Sequence, residues 1–145
     1  MATPVRTVSA PISTAAPDSP ATILLVEDDA SVRQVLERWL RLKGFEVLSA
    51  ANARAAQQIW REHSARISVL VTDVALPDGI SGRELGCLLQ GEKAELNVIL
   101  TSGYNTDYAE LEPVVTRRTQ FLAKPYQPAE LLAMVRAALN SAAQN

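Results

Sequence analysis

The sequence predicts an α/β fold with a doubly wound parallel sheet, on three observations. Short apolar runs alternate with amphipathic segments five times along the chain. The runs, such as Ile23-Leu24-Leu25-Val26, Val69-Leu70-Val71 and Val98-Ile99-Leu100, are continuous rather than alternating, which marks strands covered on both faces. They also end in polar residues, at the edge where open parallel sheets carry their chemistry.

The elements follow in order. Residues 1–20 hold four of the eight prolines, many Ala, Ser and Thr, and only Arg6 and Asp18 as charges. They bury little and are expected to be a disordered tail. The folded domain spans 21–141, and 142–145 form a C-terminal tail. The run 23–26 is the first strand, ending in Glu27, Asp28 and Asp29. Val32, Val35, Leu36, Trp39 and Leu40 then fall on one helical face, and Gly44 stops that helix. Phe45-Glu46-Val47-Leu48 is the second strand. Asn52 caps a second helix that turns Ala55, Ala56, Ile59 and Trp60 inward. Residues 68–73 form the third strand, which ends in Asp73; Pro77 and Gly79 forbid regular structure beyond it. Ser81 caps a third helix through Leu89, with Gly91 beyond. Asn97-Val98-Ile99-Leu100-Thr101 is the fourth strand. A short helix is expected near 106–112, with Pro113 after it. Phe121-Leu122-Ala123 is the fifth strand, ending in Lys124-Pro125. Pro128 fits the first turn of a last helix, whose buried face is Leu131, Leu132, Val135, Ala138 and Leu139. Right-handed crossovers put helices on both faces of the sheet. The order is then flavodoxin-like, 2-1-3-4-5, with its switch point between strands 1 and 3.

Composition narrows the function. With 145 residues, 48% hydrophobic and 21% charged, the chain has the makeup of one ordinary soluble domain. A net charge of −2 offers no basic surplus for direct nucleic-acid binding. No stretch reaches the length of a membrane span, and 1–20 lack the apolar core of a signal peptide. A single cysteine excludes an internal disulfide and suits a reducing, cytoplasmic setting. Cys87 lies among Leu85, Leu88 and Leu89 and is expected to be a small apolar filler near the core. The single His63 sits at a helix end and is expected to be solvated.

Side by side, the strand ends bring together Glu27, Asp28, Asp73, Ser102 and Lys124. Two carboxylates ~4 Å apart repel by roughly 4 kcal/mol at an effective dielectric of about 20. Such a cluster must protonate, pair or hold a cation. One lysine does not balance three acids, and all-oxygen ligands suit Mg²⁺. A cation beside a free carboxylate prepares phosphoryl transfer to that carboxylate, giving an acyl phosphate.

Four segments carry a resemblance: Ile-Leu-Leu-Val-Glu-Asp-Asp (23–29), Thr-Asp-Val-Ala-Leu-Pro-Asp-Gly-Ile-Ser-Gly (72–82), Ser-Gly-Tyr (102–104) and Phe-Leu-Ala-Lys-Pro (121–125). Residues 22–140 resemble the receiver domain of bacterial two-component response regulators, most of all receivers attached to hybrid histidine kinases or their stand-alone relatives. The resemblance implies Asp73 as the phosphoacceptor, Asp28 as a direct Mg²⁺ ligand, Glu27 through water, and the Ala75 backbone carbonyl as the third protein ligand. Asp29 caps the first helix. Lys124 contacts the phosphoryl group, and the Lys124–Pro125 bond is expected to be cis. The resemblance makes Ser102 the switch hydroxyl rather than Thr101, since the small Gly103 must follow the switch residue; a one-residue step along a strand also reverses the face, so both cannot point at the site. Phe121 is the switch aromatic. The chain departs from the family pattern in an extra loop residue around Asp78-Gly79, in Phe121 in place of the common tyrosine, and in Arg118-Thr119 with Pro113 before strand 5.

The function implied is a phosphorylation-activated receiver, not an enzyme in the ordinary sense, served by a histidine kinase or phosphotransfer protein. It is expected to be a monomer or weak dimer, and to be a single-domain regulator, a relay intermediate or a piece of a larger protein. The alternative is a receiver-like interaction module that works without phosphorylation. An aspartyl phosphatase would carry Asp-x-Asp, where this chain has Ala75. A flavin carrier needs a phosphate-friendly loop after strand 1, where this chain has three acids.

Overall fold

The computed structural model describes residues 20–77, 79–103 and 118–144. The elements are β1 (Thr22–Val26), α1 (Ala30–Leu42), β2 (Glu46–Ala50), α2 (Ala53–His63), β3 (Ile67–Asp73), α3 (Gly82–Glu92), β4 (Asn97–Ser102), β5 (Thr119–Ala123) and α4 (Pro128–Gln144). The expected helix at 106–112, Pro113, Asp78 and the proposed N-terminal tail up to residue 19 lie outside the described residues; of the proposed C-terminal tail, 142–144 continue α4 instead.

The sheet is five-stranded and all parallel, in the order β2-β1-β3-β4-β5. This is the flavodoxin-like 2-1-3-4-5 order expected from the sequence. Each continuous apolar strand feeds two cores. Leu24, Val26, Leu70, Val98 and Leu100 pack with Ala56 and Trp60 of α2 and with Leu85 and Leu89 of α3. Ile23, Leu25, Val69, Val71 and Ile99 pack with Leu36 and Leu40 of α1 and with Leu131 and Val135 of α4. Each such aliphatic side chain contributes about 1.5–3 kcal/mol on burial, so both layers are held to the sheet and the strand ends stay in register.

The helix starts follow the expected capping. The Asp29 carboxylate accepts from the Ser31 and Val32 N–H groups, Asn52 Oδ1 accepts from Ala55 N, and Ser81 forms a reciprocal capping box with Glu84. Gly44, at φ 99°, takes the left-handed conformation that ends α1.

Four expectations are corrected. β2 begins at Glu46 and runs to Ala50, paired residue for residue with β1. α3 continues through Gly91 to Glu92, whose Oε1 accepts from Trp60 Nε1 at 3.0 Å and so anchors the last turn. Val32 and Val35 are exposed, because the buried stripe of α1 is carried by Leu36 and Leu40. Cys87 is exposed too: Leu85 and Leu89 occupy the inward stripe of α3, and Cys87 lies off it.

Candidate functional site

β1 and β3 are neighbours, and their carboxyl ends open onto one edge of the sheet. There, ligand oxygens of Glu27, Asp28 and Asp73 lie within 4.8 Å of one another. Glu27 and Asp73 are buried and Asp28 is exposed. The cluster therefore has a closed floor and an open mouth.

The floor is tied down by backbone and side chain. Glu27 N donates to Ala50 O at 3.0 Å, fixing the end of β1 against β2. Arg33 Nη1 donates to the Glu27 carbonyl at 2.8 Å, and Asp29 N to Glu27 Oε2 at 3.1 Å. Behind Asp73, Gly82 N donates to Val74 O at 2.7 Å, bringing the start of α3 against the acid's own backbone. A Cβ at Gly82 would fall 1.8 Å from the Asp73 carbonyl oxygen, so only glycine permits this approach.

Lys124 follows β5. Its backbone N–H donates to Ser102 O at 2.7 Å. Its ammonium lies 2.6 Å from Asp73 Oδ1 and 3.7 Å from Glu27 Oε1. The Lys124–Pro125 bond is cis, as expected.

The charges act on one another. Burial pushes the Glu27 carboxyl up to about 7; the Asp29 N–H and Lys124 oppose the rise, and the Asp73 charge and their shared hydrogen bond add to it. Partial burial disfavours the charged form of Lys124, but the bond to Asp73 and the nearby acids outweigh it and raise its pKa. Burial pushes the Tyr126 phenol up to about 12, with the charges of Glu27 and Asp73 adding to the shift. Three acids facing one ammonium leave negative charge for a cation, and an all-oxygen donor set suits a hard one such as Mg²⁺.

A hydroxyl that the sequence analysis did not single out contacts Asp73. Thr101 Oγ1 donates to Asp73 Oδ1 at 2.7 Å. Thr101 is the register partner of Asp73 across β3 and β4, and partners in adjacent strands project to the same face. Ser102, one residue on, belongs by alternation to the face of Leu100 and is buried. A count from the register of β3 and β4 was the signal that would have found Thr101. Phe121 is the register partner of Leu100 and packs against the α2–α3 core. Ala75 lies exposed two residues past Asp73.

Sequence reasoning also passed over Tyr126 and Arg33. Tyr126 lines a cleft of about 630 Å³ beside the site, together with Val32, Val35, Leu36, Lys124 and Pro125.

This fold and this edge of acids with one lysine define a receiver-type signalling domain. The family profile of the response regulator receiver domain matches residues 23–136, and the chain belongs to that family. It is 32% identical over 124 residues to the DNA-binding transcriptional regulator NtrC of Azospirillum brasilense, covering 85% of this chain and 25% of that protein. It is 30% identical over 115 residues to the response regulator protein FleR of Pseudomonas aeruginosa, covering 79% of this chain and 24% of that protein. The chain thus spans about a quarter of the length of these two relatives. Among solved structures, it resembles the receiver domain of the hybrid histidine kinase CckA, with a TM-score of 0.69 and 32% identity over 81% of this chain and 98% of that one. No helix among the described residues is long and apolar enough to cross a membrane.

Proposed function

We propose that this domain is a phosphorylation-activated switch in which Asp73 accepts a phosphoryl group from the phosphohistidine of a histidine kinase or phosphotransfer protein. The observation that carries the reading is a buried Asp73 carboxylate, held by Lys124 at 2.6 Å and flanked by Glu27 and Asp28 within metal-sharing distance. An Asp73 oxygen forms a bond to phosphorus as the phosphorus–nitrogen bond to the donor imidazole breaks, and the electron pair leaves with the imidazole, which takes up a proton.

Glu27, Asp28, Asp73 and the Ala75 carbonyl would hold Mg²⁺, which supplies charge neutralisation at the phosphoryl oxygens. Lys124 shifts from the carboxylate toward the added charge of about −2. The Ser102 hydroxyl then turns from its buried position to the phosphoryl group, and Phe121 repacks behind it, changing the surface offered to a partner. The partner is a protein: the net charge of −2 gives this chain no footprint for nucleic acid. The setting is cytoplasmic.

The test is a calorimetric titration with beryllofluoride, a stable mimic of the phosphoryl group, with and without Mg²⁺. One-to-one, Mg²⁺-dependent binding that is lost in Asp73→Asn is expected. No binding by folded wild type would overturn the reading in favour of a phosphorylation-independent interaction module.

A further inference from the structure

We infer that Thr101 shortens the life of the phosphorylated state by stabilising the Asp73 carboxylate as the group that leaves phosphorus on hydrolysis. The inference rests on Asp73 being the phosphoryl acceptor.

Thr101 and Asp73 are both buried, and the Thr101 hydroxyl donates to Oδ1 at 2.7 Å. A second acceptor for it, Thr72 O, lies at 3.5 Å and is the weaker partner. The bond is fixed by strand register rather than by a flexible loop: Asp73 and Thr101 are paired, and Val74 N donates to Thr101 O at 2.9 Å. It therefore stays in place when Lys124 moves to the phosphoryl group.

In hydrolysis, water oxygen bonds to phosphorus and the bond from phosphorus to the Asp73 oxygen breaks. The electron pair returns to the carboxylate, and the water protons go to the departing phosphate and to solvent. A donor on Oδ1 is stronger toward the carboxylate that forms than toward the neutral acyl oxygen it replaces. It lowers the barrier to loss. The same holds whichever oxygen carries phosphorus, because the charge returns to the whole carboxylate. Two adjacent hydroxyls then have opposite tasks: Ser102 reads the phosphoryl group, and Thr101 hastens its departure.

The test loads the protein with acetyl phosphate and Mg²⁺, removes the donor, and follows decay of the phosphorylated form on a phosphate-affinity gel. Thr101→Val keeps the shape and removes the hydroxyl. Its half-life should rise roughly three- to tenfold, while Thr101→Ser restores fast decay and the Mg²⁺ affinity stays near wild type. Thr101→Ala serves as a second hydroxyl-free variant should the valine form not fold. A merely loosened site would load poorly and would not hold its phosphoryl group longer. Decay of both hydroxyl-free variants as fast as wild type would overturn the inference while leaving Asp73 as acceptor. A wild type that takes no phosphoryl group would overturn both.

Discussion

Gly82 stands directly behind Asp73, so close that its missing side chain is what lets α3 begin there. A Cβ at this position would meet the Asp73 carbonyl oxygen at 1.8 Å and Thr72 Oγ1 at 3.0 Å. Neither atom can yield easily. The first is backbone, and the second is committed to the Asp73 carbonyl at 3.0 Å. Gly82→Ala should therefore destabilise the domain by about 1–3 kcal/mol and weaken beryllofluoride binding together with stability. Urea unfolding checks the first effect; an unchanged midpoint would show that the loop relaxes freely.

Lys124 lies on Asp73 and near Glu27, the carboxylates a metal would share, so the two would compete. Lys124→Ala should bind Mg²⁺ at least as tightly as wild type, yet bind beryllofluoride more weakly, because the mimic loses its ammonium contact. Parallel titrations with Mg²⁺ alone and with Mg²⁺ plus beryllofluoride separate the two. Loss of Mg²⁺ binding in this variant would contradict the assigned role.

Glu27 gives the site a pH dependence with a definite sign. Its carboxyl titrates at about 7 when folded, against an ordinary value of 4.5. Between those values the folded state holds a proton that the unfolded chain has lost, so stability falls as pH rises through that window and levels off above it. Mg²⁺ requires the ionised form, so its affinity should rise over the approach to pH 7. Without metal, the urea midpoint should be lower at pH 8 than at pH 5.5, and Glu27→Gln should flatten that difference. A slope retained in the variant would assign it to another group.

Asp29 caps α1, since its Oδ1 accepts from Ser31 N at 2.9 Å and Val32 N at 3.2 Å. Asp29→Ala should cost about 1 kcal/mol of stability and leave Mg²⁺ affinity within about twofold, the change expected for an outlying charge. Asp28→Ala should do the reverse. Calorimetry with Mg²⁺ on the two variants decides between these assignments.

Much of this molecule is legible in its sequence because continuous apolar strands permit few arrangements. Ile23–Val26, Val69–Val71 and Val98–Leu100 must be covered on both faces, and Asp29, Asn52 and Ser81 mark helix starts by local hydrogen bonding alone. Glu27, Asp28, Asp73 and Lys124 meet as the strand ends required. What escaped depends on register and on how wide a face is. The pairing of Asp73 with Thr101 is a relation between strands that no single strand encodes. Val32 and Val35 fit the helical period of α1, yet the sheet is met by a stripe only as wide as Leu36 and Leu40. Gly91 is weak helix material, but the Trp60–Glu92 bond lies beyond it and holds the turn.

At the opposite end of β3 from Asp73, Lys93 Nζ donates to the carbonyls of Ser64, Ala65 and Ile67 at 2.9, 3.3 and 2.7 Å. This ammonium works as a rivet, closing the end of α2 and the start of β3 with one group. The strand between Ile67 and Asp73 spans roughly 20 Å, more than twice the distance over which salt leaves charges aware of one another. The rivet is thus beyond electrostatic reach of the acidic end of the same strand. Substitutions around the rivet can adjust how long the domain survives while the acidic mouth keeps its charges.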